Sequence, residues 1–422
     1  MDGTGVSRFL RRLPALLFCV LLGVAAMVFS ARILLPKALP GQLIKQTPFR
    51  QILSGGAAEI GGTPPRPTIG FRGQLQWETQ QNYPFRVLLL EAANTYVRKT
   101  GWNIPLLGGA GPSSKYDAGN GFICDASWAS RLDSQLANER LQMLMNELAA
   151  RNTNTLFVME PPRIPVENRS LSGVFDFSAE RLAERVHFLE QAGIPVLDLG
   201  STLSERTPIY FRTDHHMTVE AGLLAARALA EQLSTGFGFP IEKETLSDDS
   251  FDIRCLPDAF LGSYGKQVTL ARCRPDAFPV VTAKPTYRFR MQIPSREIDI
   301  EGDGRILFDE QSFFHGASYR INQYAAYGFG NNDLLRIQNL SRPDGLRLLV
   351  LSDSFDNACI MFLANAVSEI VDVDLRYFKG TIDDVFETGS FDVVIVFRAV
   401  PSDKQLAAFC PSNSKLARNI LP

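Results

Sequence analysis

The sequence predicts an α/β fold in which helices cover both faces of a mostly parallel sheet. Short apolar runs, each about the length of one strand, alternate with segments whose apolar residues recur at helical spacing. The runs are apolar at almost every position, which is typical of strands buried on both faces of a parallel sheet. With 422 residues, of which 45% are hydrophobic and 21% charged, the chain can bury a large core.

The charge balance argues against a nucleic-acid partner. The formal net charge is −2, from 43 Lys and Arg residues against 45 Asp and Glu residues. Proteins that bind DNA or RNA usually present a basic surface to the phosphates. We therefore expect no nucleic-acid binding.

Residues 1–35 are predicted to form a membrane anchor or a signal. Leu13 to Ala31 is an almost continuous apolar run of nineteen residues, and three arginines precede it. Such a run is just long enough to span a bilayer as a helix. A cleaved signal peptide is the alternative, with small residues near Ala31 as the cleavage site. We expect a membrane-anchored protein whose body lies outside the cytoplasm.

The rest of the chain divides by composition. Residues 36–75 are rich in Pro and Gly and are predicted to be a linker, whereas residues 401–422 form a C-terminal tail. The segment between them, 76–400, is predicted to be one domain. Its first clear amphipathic helix is Arg131 to Ala150, where leucines recur at three- and four-residue intervals.

An alternation of strands and helices follows this helix. The predicted strands are Thr155–Met159, Ile194–Leu199, Leu346–Leu351 and Asp392–Phe397, and the predicted helices are Ser178–Ala192, Thr218–Leu233 and Asp356–Val371. Residues 236–340 differ, because Gly, Pro, Asp and aromatic residues are dispersed among short β-like runs. We expect an irregular insertion there. It contains Cys255 and Cys273, which flank a turn-rich segment and are the best candidates for a disulfide.

Polar residues follow several of these strands at the point where each strand ends. Ser354 comes after the Leu346–Leu351 strand and before a helix, and Asp214 and His216 lie between another strand and its helix. Ligands of open parallel sheets bind beyond the carboxyl ends of the strands. A serine, a histidine and an aspartate in that place can act as nucleophile, base and orienting carboxylate. Amide groups at the helix start beyond Ser354 could also stabilise an oxyanion.

Two arginines and one asparagine complete the set of candidate site residues. Arg163 leaves the Thr155–Met159 strand after two prolines, and Arg398 ends the Asp392–Phe397 strand. We expect both to contact the substrate, together with Asn339. Arg163 and Asn339 are also the candidates for a second oxyanion donor.

Each of these residues has a structural alternative. Ser354 lies in a Ser-Asp-Ser sequence that is equally suited to cap a helix, and Asp214 could stabilise a helix start by its charge. The two arginines could serve structural ion pairs. His215 and His216 could bind a metal, but only two other histidines exist, so we expect no metal site and no cofactor.

Two sequence motifs resemble a known family. Thr-Asp-His-His-Met-Thr at 213–218 resembles the signature of the DHHW family and the related motif of periplasmic alginate O-acetyltransferases. Leu-Ser-Asp-Ser-Phe at 351–355 resembles the Gly-Asp-Ser turn of these enzymes. The resemblance extends over about residues 75 to 400. The chain differs from the family pattern at Met217, where the signature has tryptophan, and at Ser352, where the turn usually has glycine.

The resemblance implies an SGNH-hydrolase-like three-layer α/β/α fold with its serine and histidine motifs in reversed order. Matched residue by residue, Ser354 is the nucleophile, His216 the general base and Asp214 its orienting carboxylate, while His215 occupies a variable position. The implied activity is transfer of an acetyl group, through an acyl-serine, to a hydroxyl of a cell-surface polysaccharide. A multi-pass membrane acyltransferase would deliver the acyl group.

Two other functions fit the same residues. A carbohydrate esterase would form the same acyl-enzyme but pass the group to water, so the two enzymes differ in whether the site excludes water. A catalytically inactive glycan-binding or scaffold protein would retain the triad only as a remnant. The departures at Met217 and Ser352 are consistent with that third alternative.

Overall fold

The computed structural model describes only part of the chain. The described residues are 95, 115–117, 121–125, 134–161, 163, 178–203, 208–314, 321–374 and 376–398. The predicted anchor, linker and C-terminal tail lie outside these residues. Within the described ranges, no helix is both long enough and apolar enough to cross a bilayer. All helices and strands given below belong to the unit formed by residues 103–422.

The elements follow the predicted alternation over most of the domain. The strands are β1 (Lys115–Asp117), β2 (Ile123–Asp125), β3 (Asn154–Met159), β4 (Val196–Asp198), β5 (Phe251–Phe260), β6 (Asp276–Ala283), β7 (Arg288–Ile293), β8 (Ile298–Asp303), β9 (Leu334–Asn339), β10 (Arg347–Ser352), β11 (Glu369–Asp374) and β12 (Val393–Arg398). The α-helices are α1 (Ser134–Ala150), α2 (Ser178–Gln191), α3 (Leu199–Leu203), α4 (Val219–Phe237), α5 (Ser263–Val268), α6 (Glu310–Phe314), α7 (Asn357–Leu363) and α8 (Ile382–Phe386).

Eight of these strands form one mixed sheet in the order β4-β3-β12-β10-β11-β9-β7-β8. The five strands from β4 to β11 run parallel to one another. The last three add antiparallel pairs at one side of the sheet. The predicted α/β class with a mostly parallel sheet is confirmed.

Helices cover both faces of the parallel strands. Along β10, Leu348 and Val350 belong to the core shared with α4 and α7, while Leu349 and Leu351 belong to the core shared with α1 and α8. Because side chains alternate between the faces of a strand, a run that is apolar at every position supplies both cores. The helices α4 and α7 also approach closely, since a Cβ at Gly222 would lie 3.0 Å from that of Ala358.

The segment 236–340 is more regular than expected. It contains β5 to β9, and three of these strands extend the central sheet. The other two, β5 and β6, pair with each other in a separate two-stranded sheet. The expectation of an irregular insertion is wrong for this reason: the dispersed glycines and prolines separate short strands of an antiparallel sheet.

The helix predicted over Asp356–Val371 is also shorter than expected. It ends at Leu363, and the strand β11 begins at Glu369. The whole stretch is buried, so its apolar residues follow neither the helical nor the strand period clearly. The Asn339 side chain donates to the carbonyl of Ala364 at 3.1 Å and so stabilises the turn between the two elements.

The predicted disulfide is not formed. Cys255 is exposed on β5, opposite Pro279, whereas Cys273 is buried in a small apolar cluster with Tyr264 and Val268. Both thiols are free in the structure. The turn-rich segment between them folds as α5 and its flanking turns instead of bringing the two cysteines together.

Candidate active site

The loop before α4 carries Asp214 and His216, the aspartate and the histidine that the sequence predicted as site residues. It is closed by an antiparallel bridge between Tyr210 and Met217. The next residue, Thr218, caps α4 by accepting a hydrogen bond from the Ala221 amide at 3.2 Å. Met217, at the position of the family's tryptophan, is buried in the core. The bridge and the cap therefore fix the backbone on both sides of the short Asp-His-His segment.

Asp214, His216 and Ser354 form one continuous chain of hydrogen bonds. Nδ1 of His216 donates to Oδ1 of Asp214 at 2.5 Å, and the Ser354 hydroxyl lies 3.0 Å from Nε2 of His216. Ser354 and His216 are separated by 138 residues in sequence. The structure thus brings together the three residues that the sequence predicted, in the order that a serine nucleophile and its base require.

The second oxygen of Asp214 binds the start of α5. The Ser263 amide donates to Oδ2 at 2.5 Å. Burial alone would raise the pKa of Asp214, but the two adjacent histidines and the hydrogen bonds from His216 and Ser263 hold that pKa well below its usual value. Gly262 packs so closely that a Cβ there would overlap with the Cβ of Asp214. The aspartate is therefore ionised and fixed in place.

The serine turn is held by two hydrogen bonds of its own. Oδ1 of Asp353 accepts from the Phe355 amide at 3.0 Å, and the Ser352 hydroxyl donates to Oδ1 of Asp372 at 2.5 Å. Burial raises the pKa of Asp372 to about 7. Ser352, which replaces the family's glycine, therefore supplies a donor to a buried carboxyl on the neighbouring strand.

Tyr324 packs against His216, and no sequence pattern predicted this contact. Its ring stacks on that of His216, with centroids 4.3 Å apart and planes 17° apart. Its hydroxyl donates to the carbonyl of Phe355 at 2.8 Å, so one side chain links the histidine to the serine turn. Like Gly262 and Ser263, it comes from the segment 236–340, where no sequence pattern marked it.

His215 has a different environment from its neighbour. Its Nδ1 forms a hydrogen bond with the Ser263 hydroxyl at 2.7 Å. Burial and the adjacent His216 ring lower the pKa of His215 to about 3, so it is neutral near pH 7. Together with Asp214 and His216 it forms a group close enough to hold a metal ion. However, the contacts of His216 with Asp214 and Ser354 are those of a triad rather than those of a metal ligand.

Arg163 lies close to the loop that carries Asp214 and His216. Most of its guanidinium N–H groups, however, donate to backbone carbonyls. Its guanidinium donates to the carbonyls of Ile123 and Phe211 at 2.9 and 2.8 Å, and more weakly to that of Arg212. These bonds tie β2 to the loop that carries Asp214 and give the arginine a positioning role. Within the described residues, Nη1 has no hydrogen-bond partner, so substrate contact through that atom stays a prediction.

Asn339 and Arg398 are the other two residues that were predicted to contact the substrate, and the structure places them at opposite edges of the sheet. Asn339 ends β9, which is antiparallel to β11, so it lies beside the start of β11 and not beside its carboxyl end. The prediction that Asn339 contacts the substrate or an oxyanion is therefore wrong. Arg398 ends β12 next to Met159, at the same edge as Ser352. Its side chain lies outside the described residues, and its role stays a prediction.

The backbone N–H groups of the two residues after Ser354 donate hydrogen bonds within the serine turn itself. The Phe355 amide binds the Asp353 side chain, and the Asp356 amide donates to the Asp353 carbonyl at 3.4 Å. The helix α7 begins only at Asn357. The oxyanion site predicted at this helix start stays a prediction.

The fold matches that of known proteins. Residues 125–312 match the family model described as SGNH hydrolase-like domain, acetyltransferase AlgX. This match includes Asp214 and His216 and ends before Ser354. The chain therefore contains an SGNH hydrolase-like domain, and the resemblance to this group of acetyltransferases is confirmed. No curated protein sequence matches the chain.

Solved structures share this fold at low sequence identity. A DHHW family protein from Eubacterium siraeum DSM 15702 is 17% identical, with a TM-score of 0.50 over 73% of this chain and 92% of that one. PatB1 from Bacillus cereus is 15% identical, with a TM-score of 0.52 over 67% of this chain and 95% of that one. The same protein with a sulfonyl adduct gives a TM-score of 0.55 at 15% identity, over 67% and 94% of the two chains.

Proposed function

We propose that this protein is a serine-dependent O-acetyltransferase that acts on a polysaccharide outside the cytoplasm. The observation that carries the proposal is the hydrogen-bond chain from Asp214 through His216 to Ser354. Such a chain activates a serine hydroxyl for attack on an acyl group. The match to an acetyltransferase family model supports acetyl as the group transferred.

The proposed reaction has two half-reactions. In the first, Nε2 of His216 takes the proton of the Ser354 hydroxyl while Oγ attacks the acetyl carbonyl, and the protonated histidine then gives this proton to the leaving group. In the second, His216 takes a proton from a sugar hydroxyl, whose oxygen attacks the acetyl-serine. The bond from the acyl carbon to Oγ then breaks, and the protonated His216 gives this proton to Oγ, which restores the Ser354 hydroxyl. Asp214 keeps the imidazole in the tautomer that leaves Nε2 free to accept.

Burial of the triad favours transfer over hydrolysis. Ser354 and His216 are only 5% and 6% exposed. Exclusion of water protects an acyl-enzyme from hydrolysis, so that a bound sugar hydroxyl can compete.

The departures from the family pattern leave the triad intact. Met217 is buried in the core, and Ser352 donates to Asp372, away from the nucleophile. Neither residue interrupts the contacts between His216 and its partners. This arrangement supports an active enzyme over an inactive glycan-binding protein.

We further propose that residues 13–31 anchor the protein in a membrane and that a multi-pass acyltransferase delivers the acetyl group. The apolar run after three arginines supports the anchor. An acetyl donor made in the cytoplasm has to cross the membrane to reach an outer site, which calls for a membrane-embedded partner.

Capture of the acyl-enzyme tests the proposed chemistry. The full chain, purified in detergent, is mixed with a chromogenic acetyl ester and analysed by intact-mass spectrometry. We expect one added acetyl group, mapped to Ser354, which is lost faster when an oligosaccharide acceptor is present than in buffer alone. The variant Ser354→Ala should show no addition, and Ser201→Ala, which removes an exposed serine of α3, should behave as wild type. Loss of the acetyl group at the same rate with and without acceptor would favour the esterase.

A further inference from the structure

A buried aspartate outside the triad binds the residue that precedes Asp214. Asp276 begins β6 and is 5% exposed. Its Oδ2 accepts hydrogen bonds from the amide and the hydroxyl of Thr213, at 2.9 and 2.6 Å. Its Oδ1 accepts from the amide and the side chain of Arg212, at 3.2 and 3.0 Å. An ionised carboxylate has about four acceptor positions, so these bonds use its whole capacity.

Every polar atom of Thr213 is bound to the segment 236–340. Besides donating to Asp276, the hydroxyl accepts from the Gly262 amide at 3.0 Å, and the carbonyl accepts from the Gly265 amide at 2.8 Å. Gly265 also packs tightly on Thr213, since a Cβ there would lie 2.8 Å from the threonine Cβ. These contacts fix both the backbone and the side chain of the residue next to Asp214.

The pairing of β5 with β6 brings these partners together. Phe260, at the end of β5, is paired with Asp276 at the start of β6. The chain between the two residues contains Gly262 and the helix α5. Because the strand ends are adjacent, Asp276 and the start of α5 reach the loop before α4 at the same place. Asp276 binds Thr213 there, and the Ser263 amide binds Asp214.

A structural ion pair with Arg212 is the alternative role for Asp276. The arginine side chain is 47% exposed, and ion pairs with such exposure contribute little to stability. The bonds to Thr213 are buried, and a buried donor that loses its partner costs more than an exposed one. The buried contacts therefore indicate that Asp276 supports the loop rather than the surface arginine.

We propose that Asp276 is a positioning residue of the triad, which holds Thr213 against the start of α5 so that the Asp214 carboxylate meets Nδ1 of His216. Asp276 acts through Asp214, because its hydrogen bonds go to the two residues before that aspartate. The effect on rate rests on the proposed acyltransferase function. The effect on the hydrogen bond between Asp214 and His216 does not.

The isosteric variant Asp276→Asn tests the proposal. The amide turns one of the two acceptor oxygens into a donor, which then faces the N–H groups of Arg212 or the donors of Thr213. We expect the maximal rate of acyl-enzyme formation to fall about 10²-fold, as for a displacement of about 1 Å in a catalytic group. The ester concentration that gives half of this rate should change by less than about threefold, because contacts to the ester are not removed.

A matched control uses a buried acid far from the triad. Glu369 lies at the amino end of β11, is 5% exposed and forms ion pairs with Arg336 and Arg347. The variant Glu369→Gln also replaces a buried carboxylate by an amide, and it should form the acyl-enzyme at the wild-type rate. Equal losses of rate in Asp276→Asn and Glu369→Gln would mean that both act by general destabilisation, and they would overturn the proposal.

Two variants of Thr213 test the same contact from the other side and do not require Asp276→Asn to fold. Thr213→Val keeps the shape but removes the hydroxyl between Asp276 and Gly262, whereas Thr213→Ser keeps the hydroxyl and removes the methyl group. We expect the valine variant to be slower than the serine variant by about tenfold or more. The opposite order would mean that Thr213 acts through packing, and it would contradict the proposal.

A proton NMR spectrum of the full chain gives a readout that does not depend on activity. The proton between Nδ1 of His216 and Asp214 lies in a short, charge-assisted hydrogen bond and is expected to resonate far downfield. Its signal is assigned by its loss in His216→Ala. We expect the signal to move upfield or to broaden in Asp276→Asn and Thr213→Val, and to stay unchanged in Glu369→Gln.

The two kinds of measurement separate the proposal from the proposed function. If wild type forms no acyl-enzyme but the signal changes in Asp276→Asn, the proposed function fails and the positioning role stands. If the signal is unchanged in both Asp276→Asn and Thr213→Val, Asp276 does not position the aspartate of the triad, and the inference is overturned whatever the rates.

Discussion

His216 depends on contacts from three parts of the chain. Asp214 holds Nδ1, Ser354 faces Nε2, and the Tyr324 ring covers one face of the imidazole. Removal of any one contact allows the ring to turn or to adopt the other tautomer. The catalytic residues are therefore expected to act as a unit.

Substitutions in the triad test this dependence. Ser354→Ala and His216→Ala should each abolish acyl-enzyme formation, and Asp214→Asn should reduce its rate by a factor on the order of 10⁴ because the wrong tautomer is then favoured. The losses should not add in double variants. Circular dichroism checks that each variant is folded.

His215→Ala is the control for this series. His215 contacts Ser263 rather than Ser354, so its loss should be much milder than that of His216. If His215→Ala were as inactive as His216→Ala, or if Ser354→Ala kept full activity on the acetyl ester, the assignment of the base or of the nucleophile would be wrong.

The hydrogen bond from Ser352 to Asp372 is expected to make the effect of a Ser352 substitution on the free energy of unfolding depend on pH. The folded-state pKa of Asp372 is raised to about 7, so the wild type keeps this proton at low pH and loses the corresponding stability as pH rises from about 4 to about 7. The Ser352 hydroxyl binds the carboxyl group and favours its ionised form. Ser352→Ala should therefore cost about 1–3 kcal/mol above pH 7, where Asp372 is charged, and less near pH 5.

Denaturant unfolding at two pH values measures this difference. The exposed Ser201→Ala variant is the control and should change stability equally little at both pH values. A cost of Ser352→Ala that is the same at low and high pH would show that its hydroxyl does not bind an ionising group.

At the scale of elements, the start of α5 positions the aspartate of the triad. The helix begins at Ser263, whose amide binds Asp214, and Gly262 before it leaves no room for a side chain. The helix α5, which belongs to the segment 236–340, therefore binds the side chain of Asp214, although Asp214 lies about fifty positions earlier in the sequence.

Gly262→Ala should displace this helix start from Asp214. A shift of about 1 Å in a catalytic group can lower a rate by about 10²-fold, so we expect a loss of that order in acyl-enzyme formation. Gly236→Ala is the matched control, because its Cβ would meet only the flexible end of Gln232 within α4. Alanine there should stabilise the helix by about 1 kcal/mol and leave the rate unchanged. Equal rates in the two variants would contradict the positioning role of Gly262.

At the scale of the whole molecule, the proposed function depends on where the domain is placed. A polysaccharide acceptor outside the cytoplasm requires residues 103–422 to lie on that side of the membrane. The apolar run at residues 13–31 is the feature expected to provide this placement.

A reporter fusion tests the topology. We expect a phosphatase fused after residue 50 to be active, because that enzyme folds only in an oxidising compartment. A reporter that needs the cytoplasm should be inactive at the same position. Deletion of residues 13–31 should reverse both results. Activity of the cytoplasmic reporter in the intact chain would contradict an external domain.

The sequence by itself indicated the class of fold and the three residues that the structure joins by hydrogen bonds. Strands buried on both faces must be apolar throughout, so β3, β10 and β12 were visible as runs. Asp214, His216 and Ser354 were visible because each lies in a short local motif just beyond an element of the parallel sheet. These features depend only on residues that are near one another in the chain.

Only the tertiary structure decided which distant residues support the triad. Gly262, Ser263 and Tyr324 reach it from the segment 236–340, and no local pattern records a contact over such separations. Asn339 was misplaced because a strand's direction in the sheet depends on its neighbours, and β9 runs antiparallel to β11.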